Sequence, residues 1–139
     1  MVPSSKRNVM PKFSKSSKEK LATCKMPLIE LFEEVVLHWD CTIVCGWRNQ
    51  EDQDRAYNDG FSKVRFPYSK HNILLSNAVD VAPYPINWHD IEGFKHFGFF
   101  VLGVAAVKNI PVRWGADWDR DYLLSDEKFI DLPHWELVI

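Results

Sequence analysis

The sequence predicts an α+β domain in which helices flank a small, mainly antiparallel sheet. Apolar residues recur at helical spacing over Leu28, Leu31, Phe32, Val35, Val36 and Trp39, and again over Ile91, Phe94, Phe97, Val101, Val104 and Ala105. Between and after these stripes lie short β-branched or apolar runs at 41–45, 77–83, 110–114 and 134–139, which read as strands. With 139 residues, 46% of them hydrophobic, the chain is sized for a single core.

Residues 1–12 mix Ser, Lys, Arg and Pro and read as a flexible arm, leaving a domain over 13–139. Ser16 with Glu19 has the form of a capping box, and Pro27 interrupts the helical pattern that follows. The run Cys41-Thr-Ile-Val-Cys45 is strand-like and closes at Gly46, so that Trp47, Arg48 and Asn49 fall in a loop. Glu51 to Asn58 is a short polar helix ending near Gly60, and 61–76 lacks periodicity. Asp90 is placed to cap a long helix that ends near Asn109, ahead of Pro111.

Composition excludes several functions. Seventeen basic and nineteen acidic side chains give a net charge of −2, with no basic face for nucleic acid. No apolar run approaches the roughly 20 residues that span a bilayer, and the lysine-rich start lacks the apolar segment of a secretory signal. A protein made in the cytoplasm and acting as a monomer, without membrane insertion, is expected. Cys41 and Cys45, about 13 Å apart if extended, are too distant for a disulfide and read as small buried hydrophobes.

One residue resists a structural explanation. Asp80 sits inside the apolar strand Asn77-Ala-Val-Asp-Val-Ala-Pro83, and a buried carboxylate needs a compensating cation or several donors. His71, nine positions earlier, and His134 near the C-terminus would supply two nitrogen donors to its one oxygen, leaving a tetrahedral zinc one open position for a water. Residue types alone do not establish such a site.

Their surroundings do more. Ser69-Lys-His71, Ala78-Val-Asp80 and Asp131-Leu-Pro-His134-Trp-Glu136 occur in that order, joined by Gly46-Trp-Arg48, Asp80-Val-Ala-Pro-Tyr84 and Arg113-Trp-Gly-Ala-Asp-Trp118. From about Phe13 to Ile139 this resembles the D-alanyl-D-alanine metallopeptidase family, and most closely its phage endolysin branch, the L-alanyl-D-glutamate peptidases. The resemblance implies the zinc peptidase fold shared with hedgehog signalling domains, one catalytic zinc on His71, Asp80 and His134, Asp131 as general base, and Arg48 as the group that polarises the substrate carbonyl. It further implies bacterial peptidoglycan as substrate, the L-alanyl–D-glutamate bond of the stem peptide as the target, and a lysin that reaches the wall after the membrane is opened. A D,D-carboxypeptidase or dipeptidase of the same family is the alternative, as is a non-catalytic zinc-containing binding module; Asp131 argues against the latter. A closed structural zinc site would need a fourth protein ligand, preferably cysteine, and no cysteine is expected to accompany the three ligand motifs.

Two departures from the simplest family pattern stand out: the step from His71 to Asp80 is nine positions rather than seven, with Ser76 where glycine is usual, and Ala116 replaces a second glycine. Ser69 is placed either to touch substrate or to form a turn. Glu136 shares a strand face with His134 and could support it from behind. Asp117, Asp119 and Asp121, with Asp126 beyond, read as a solvated acidic loop, with calcium regulation as the alternative and Asp117 a candidate for the cleft. His38, His89 and His96 lack an acidic cluster and are excluded as ligands, whereas Trp114, Trp118 and Trp135 are candidates for either cleft wall or core.

Overall fold

The computed structural model describes residues 10–138. In chain order the elements are α1 (Lys15–Leu21), α2 (Met26–His38), β1 (Cys41–Cys45), α3 (Gln50–Asn58), β2 (Ala78–Pro83), α4 (Ile91–Lys108), β3 (Val112–Trp114) and β4 (His134–Leu137). The four strands form one antiparallel sheet in the order β1-β2-β4-β3, the expected α+β arrangement. Of the expected arm over 1–12, residues 1–9 lie outside the described residues, as does Ile139 at the end of the last expected strand.

Local chemistry sets most boundaries. Ser14, not Ser16, caps α1, its hydroxyl accepting from the Ser17 amide at 3.1 Å, and Phe13, buried in the core, anchors the chain just before it, so the helix is capped two residues earlier than the capping-box reading. Pro27 does divide the first helical stretch, because it sits in the first turn of α2, where its missing N–H costs nothing. Asp90 caps α4 through the Gly93 amide at 3.0 Å, and Asn109 ends it in the left-handed conformation at φ 57°. Among the described residues no helix is long and apolar enough to cross a membrane.

The sheet has two unlike faces. Cys41 and Ile43 of β1, Val79 and Val81 of β2, Trp114 of β3, and Trp135 and Leu137 of β4 turn towards α2 and α4 and make the core with Leu28, Phe32, Val35, Phe97 and Val101. Trp114 stacks on Trp135 at 5.5 Å with planes 4° apart, and Phe32 meets Trp135 edge-on. Helix α1 covers the β1 edge, where Ser17 Oγ accepts from the Ile43 amide at 3.0 Å. On the opposite face the alternation of side chains presents Asp80, His134 and Glu136.

Candidate active site

Strand pairing brings the first two of these together. Asp80 and His134 are directly opposed in the β2–β4 ladder, so their side chains leave the same face as neighbours. His71 arrives from the irregular 61–76 segment, which is pinned at His71 itself and at its C-terminal end. The Arg48 amide donates to the His71 carbonyl at 2.8 Å, and Ser76 is clamped to the α1–α2 corner by its amide on the Thr23 carbonyl at 2.8 Å. His71 Nε2, Asp80 Oδ1 and His134 Nδ1 consequently form a near-equilateral triangle with edges of 3.3, 3.2 and 3.3 Å.

Each imidazole is oriented from behind. His71 Nδ1 lies 2.8 Å from the Gly46 carbonyl, which accepts that N–H and turns Nε2 towards Asp80. Gly46 can present its carbonyl because its backbone is pressed against the Lys20 carbonyl and the Thr23 side chain, where a β-carbon would collide. His134 is fixed in the opposite sense: Nε2 meets Glu136 Oε1 at 2.8 Å, freeing Nδ1 for the centre. Glu136 is itself held by Arg113 at 3.4 Å. Two outer nitrogens are tied and two inner ones converge, the arrangement that holds metal-binding histidines in one tautomer.

The cluster attracts positive charge. Burial works against an ionised Asp80, yet His71 and His134 beside it more than offset that cost and hold its carboxyl well below the usual range. Burial likewise disfavours charge on the imidazoles, but Asp80 outweighs it, lifting His71 to about 10 and His134, with help from Glu136, to about 9. His71 and His134 are 2% and 8% exposed. Two of these residues, His71 and Asp80, belong with Cys45 to one of the groups among the described residues that could hold a metal ion.

Arg48 and Asp131 frame the triangle. One arm of the Arg48 guanidinium reaches Asp80 Oδ2 at 3.3 Å, and the other donates to Gln53 Oε1 at 2.9 Å. Asp131 precedes β4 in a turn closed by the His134 amide on its carbonyl, and its own amide donates to the Gly115 carbonyl at 2.7 Å. Burial, then the charge of Asp80, push the Asp131 carboxyl up to about 6, while His134, His71 and Arg48 pull it down. The ring of Trp118 lies 5.6 Å from that of His134 and walls this side, its indole N–H on the Phe129 carbonyl. Trp114 and Trp135 belong to the core.

Other expected residues fall elsewhere. Ser69 builds a turn, its hydroxyl accepting from the His71 amide at 3.2 Å. Asp117 is buried and organises the acidic loop, accepting from the amides of Asp121 and Tyr122. The carboxylates of Asp117, Asp119 and Asp121, and of Asp119, Asp126 and Glu127, form two further groups that could hold a cation. His38 pairs with Glu34 on the surface, and His89 and His96 are exposed.

Cys45 requires a correction. It is only partly buried, and its sulfur gathers with His71 and Asp80 so that one ligand atom of each lies within 4.8 Å of the others. A bulge in β1 is the cause, since after Ile43 pairs with Val81 the register shifts and Cys45 comes opposite Asp80. A cysteine therefore does accompany the motifs in space. Sequence reasoning also missed Gln53 and Gly115, of which only the glycine, beside Trp114, left a trace in the sequence.

An antiparallel sheet carrying a buried two-histidine, one-carboxylate cluster, with a carboxyl and a guanidinium beside it, defines a hydrolase class with a candidate metal centre. The fold matches the crystal structure of the L-Ala D-Glu endopeptidase ChiX from Serratia marcescens, with a TM-score of 0.73, 21% identity, and 94% of this chain and 93% of that one covered. Residues 9–138 match the family model of the phage L-alanyl-D-glutamate peptidases, and the chain belongs to that family. It is 31% identical over 121 residues to the L-alanyl-D-glutamate peptidase of Escherichia phage T5, an alignment covering 84% of this chain and 88% of the relative. The protein is accordingly an endolysin-like enzyme, a peptidase of peptidoglycan.

Proposed function

We propose that the enzyme is a zinc hydrolase cutting the L-alanyl–D-glutamate amide of the peptidoglycan stem peptide, with His71, Asp80 and His134 as metal ligands. The observation that carries this reading is the triangle of donor atoms with edges of 3.2–3.3 Å. A tetrahedral zinc bound at about 2.0–2.1 Å has ligand-to-ligand edges of about 3.3–3.4 Å, so the three side chains fit one face of such a site, and on this reading a water takes its fourth corner. A bound zinc would lower the pKa of a water from 15.7 to about 7, making a nucleophile accessible near neutrality.

The chain's own groups do the rest. Asp131 takes the proton of the attacking water and passes it to the departing amine of D-glutamate, so that no net proton is left on the enzyme after cleavage. Arg48, held beside Asp80, meets the oxygen of the scissile carbonyl as negative charge gathers on it. Glu136 and the Gly46 carbonyl keep both imidazoles facing the metal, and Trp118 excludes bulk water from one side. Family membership favours this endopeptidase reaction over the D,D-carboxypeptidase alternative, and a general base beside the metal has no use in a purely binding module.

Calcium on the 117–127 loop remains a secondary reading, supported by its two carboxylate groups. Synthesis in the cytoplasm, with access to the wall after membrane opening, follows from the endolysin reading.

Digestion of intact peptidoglycan followed by mass spectrometry tests the reaction. New N-terminal D-glutamate, lost on chelation and restored by zinc, is expected; free D-alanine would select the carboxypeptidase, and release of neither would sink the enzymatic assignment.

A further inference from the structure

Gln53 is 0% exposed although it lies on the polar helix α3, and every hydrogen-bonding position of its amide is filled. Its Nε2 donates to the Val64 carbonyl at 2.6 Å and to Ser62 Oγ at 2.9 Å. Its Oε1 accepts from Arg48 Nη1 at 2.9 Å and from Asn72 Nδ2 at 3.1 Å. A flipped amide would face its NH2 to two donors and its oxygen to a carbonyl, so the partners fix the orientation. Asn72 extends the bracket, donating also to the Arg48 carbonyl at 3.1 Å and accepting from the Ser69 amide at 3.0 Å, two residues from His71.

On the reading that Arg48 meets the scissile carbonyl, we propose that Gln53 is a positioning residue for hydrolysis, a neutral buried acceptor that fixes the Arg48 guanidinium without cancelling its charge. Arg48 already faces one carboxylate, Asp80, at 3.3 Å. A second carboxylate at position 53 would hold the guanidinium equally well but draw its charge away from the substrate. An apolar residue would leave the charge and free the rotation. A glutamine oxygen does neither, and two turns of the 61–76 segment are tied to the same amide, so the arginine and the loop that carries His71 are set against one scaffold.

A double-mutant cycle separates this from a structural role. Gln53→Met preserves bulk and removes all four bonds. In the otherwise native enzyme it should lower kcat on a stem-peptide fragment about tenfold with zinc content unchanged, whereas in an Arg48→Ala background its effect should shrink to within about twofold. A similar loss in both backgrounds would overturn the role of Gln53 while leaving that of Arg48 intact; an Arg48→Ala enzyme of native activity would remove the reading on which it rests. The native protein offers a second readout that needs no variant to fold. The Arg48 Nη nitrogens should give two resolved NMR resonances, and a single averaged one would show a freely rotating guanidinium and overturn the proposal.

Discussion

Glu136 Oε1 lies 2.8 Å from His134 Nε2, two residues away on the same face of β4, and the far oxygen of that carboxylate meets Arg113 at 3.4 Å. Burial disfavours the charged Glu136, but His134 more than compensates, and its carboxyl is held low. Glu136→Ala should therefore weaken zinc binding by about 10–100-fold, the usual cost of losing a partner that orients a metal-binding histidine. Glu136→Gln, which still accepts from Nε2–H, should lose less. Competition against a chromogenic chelator measures both, and equal affinities for all three proteins would refute the orienting role.

Asp131→Asn should keep zinc, because the backbone bonds of its turn are unchanged, yet reduce kcat by about 10²–10⁴-fold as a general base is removed. His134→Ala should lose metal and activity together. Metal analysis alongside turnover distinguishes the two patterns, and an Asp131→Asn enzyme of near-native rate would exclude Asp131 as the base.

The pH profile follows from the same carboxyl. Raised to about 6 by burial and Asp80, Asp131 is protonated below that pH and unable to accept a proton, so activity is present above it and lost as pH falls. A bound dication only favours the carboxylate, so the acidic limb of kcat/KM should lie at about 6 or lower. A limb above neutrality would point to a different base.

Gly115, which follows β3, lies against the turn that bears Asp131, the proposed base. A β-carbon there would collide with the Asp131 carbonyl and lie 3.0 Å from the Asp131 and His134 β-carbons. Gly115→Ala must push that turn away from the triangle, and a displacement of about 1 Å can cost about 10²-fold in rate. Loss of activity with the melting transition preserved is expected; native turnover would mean the turn moves freely.

Cys45 stands beside the donors, and its thiol donates weakly to the Gly46 carbonyl at 3.5 Å. If the fourth corner of the site belongs to water, Cys45→Ser should alter zinc affinity by less than about threefold, and the cobalt-substituted protein should lack a thiolate-to-metal charge-transfer band. An intense band that vanishes in Cys45→Ser would mean a closed, sulfur-containing site.

The sequence by itself determined the secondary elements, whose signals are local: Pro27 in the first turn of α2, Asp90 and Asn109 at the ends of α4, alternating apolar residues in the strands. It also singled out Asp80, because a carboxylate in an apolar strand has no local explanation, and through motif order it drew His71 and His134 to it, with Asp131 and Arg48 as companions. Only the tertiary structure decided how these groups face one another. Cys45 reads as a core residue when alternation is counted from Cys41 and Ile43, and a bulge defined by pairing with β2 turns it towards Asp80. Gln53 looks like any polar residue of a surface helix until the 62–72 segment folds over it. Ser69 and Asp117 stand within or beside the motifs, yet their side chains are occupied by backbone amides. Hydrogen bonds and strand register join residues tens of positions apart, and periodicity within a single segment carries no record of them.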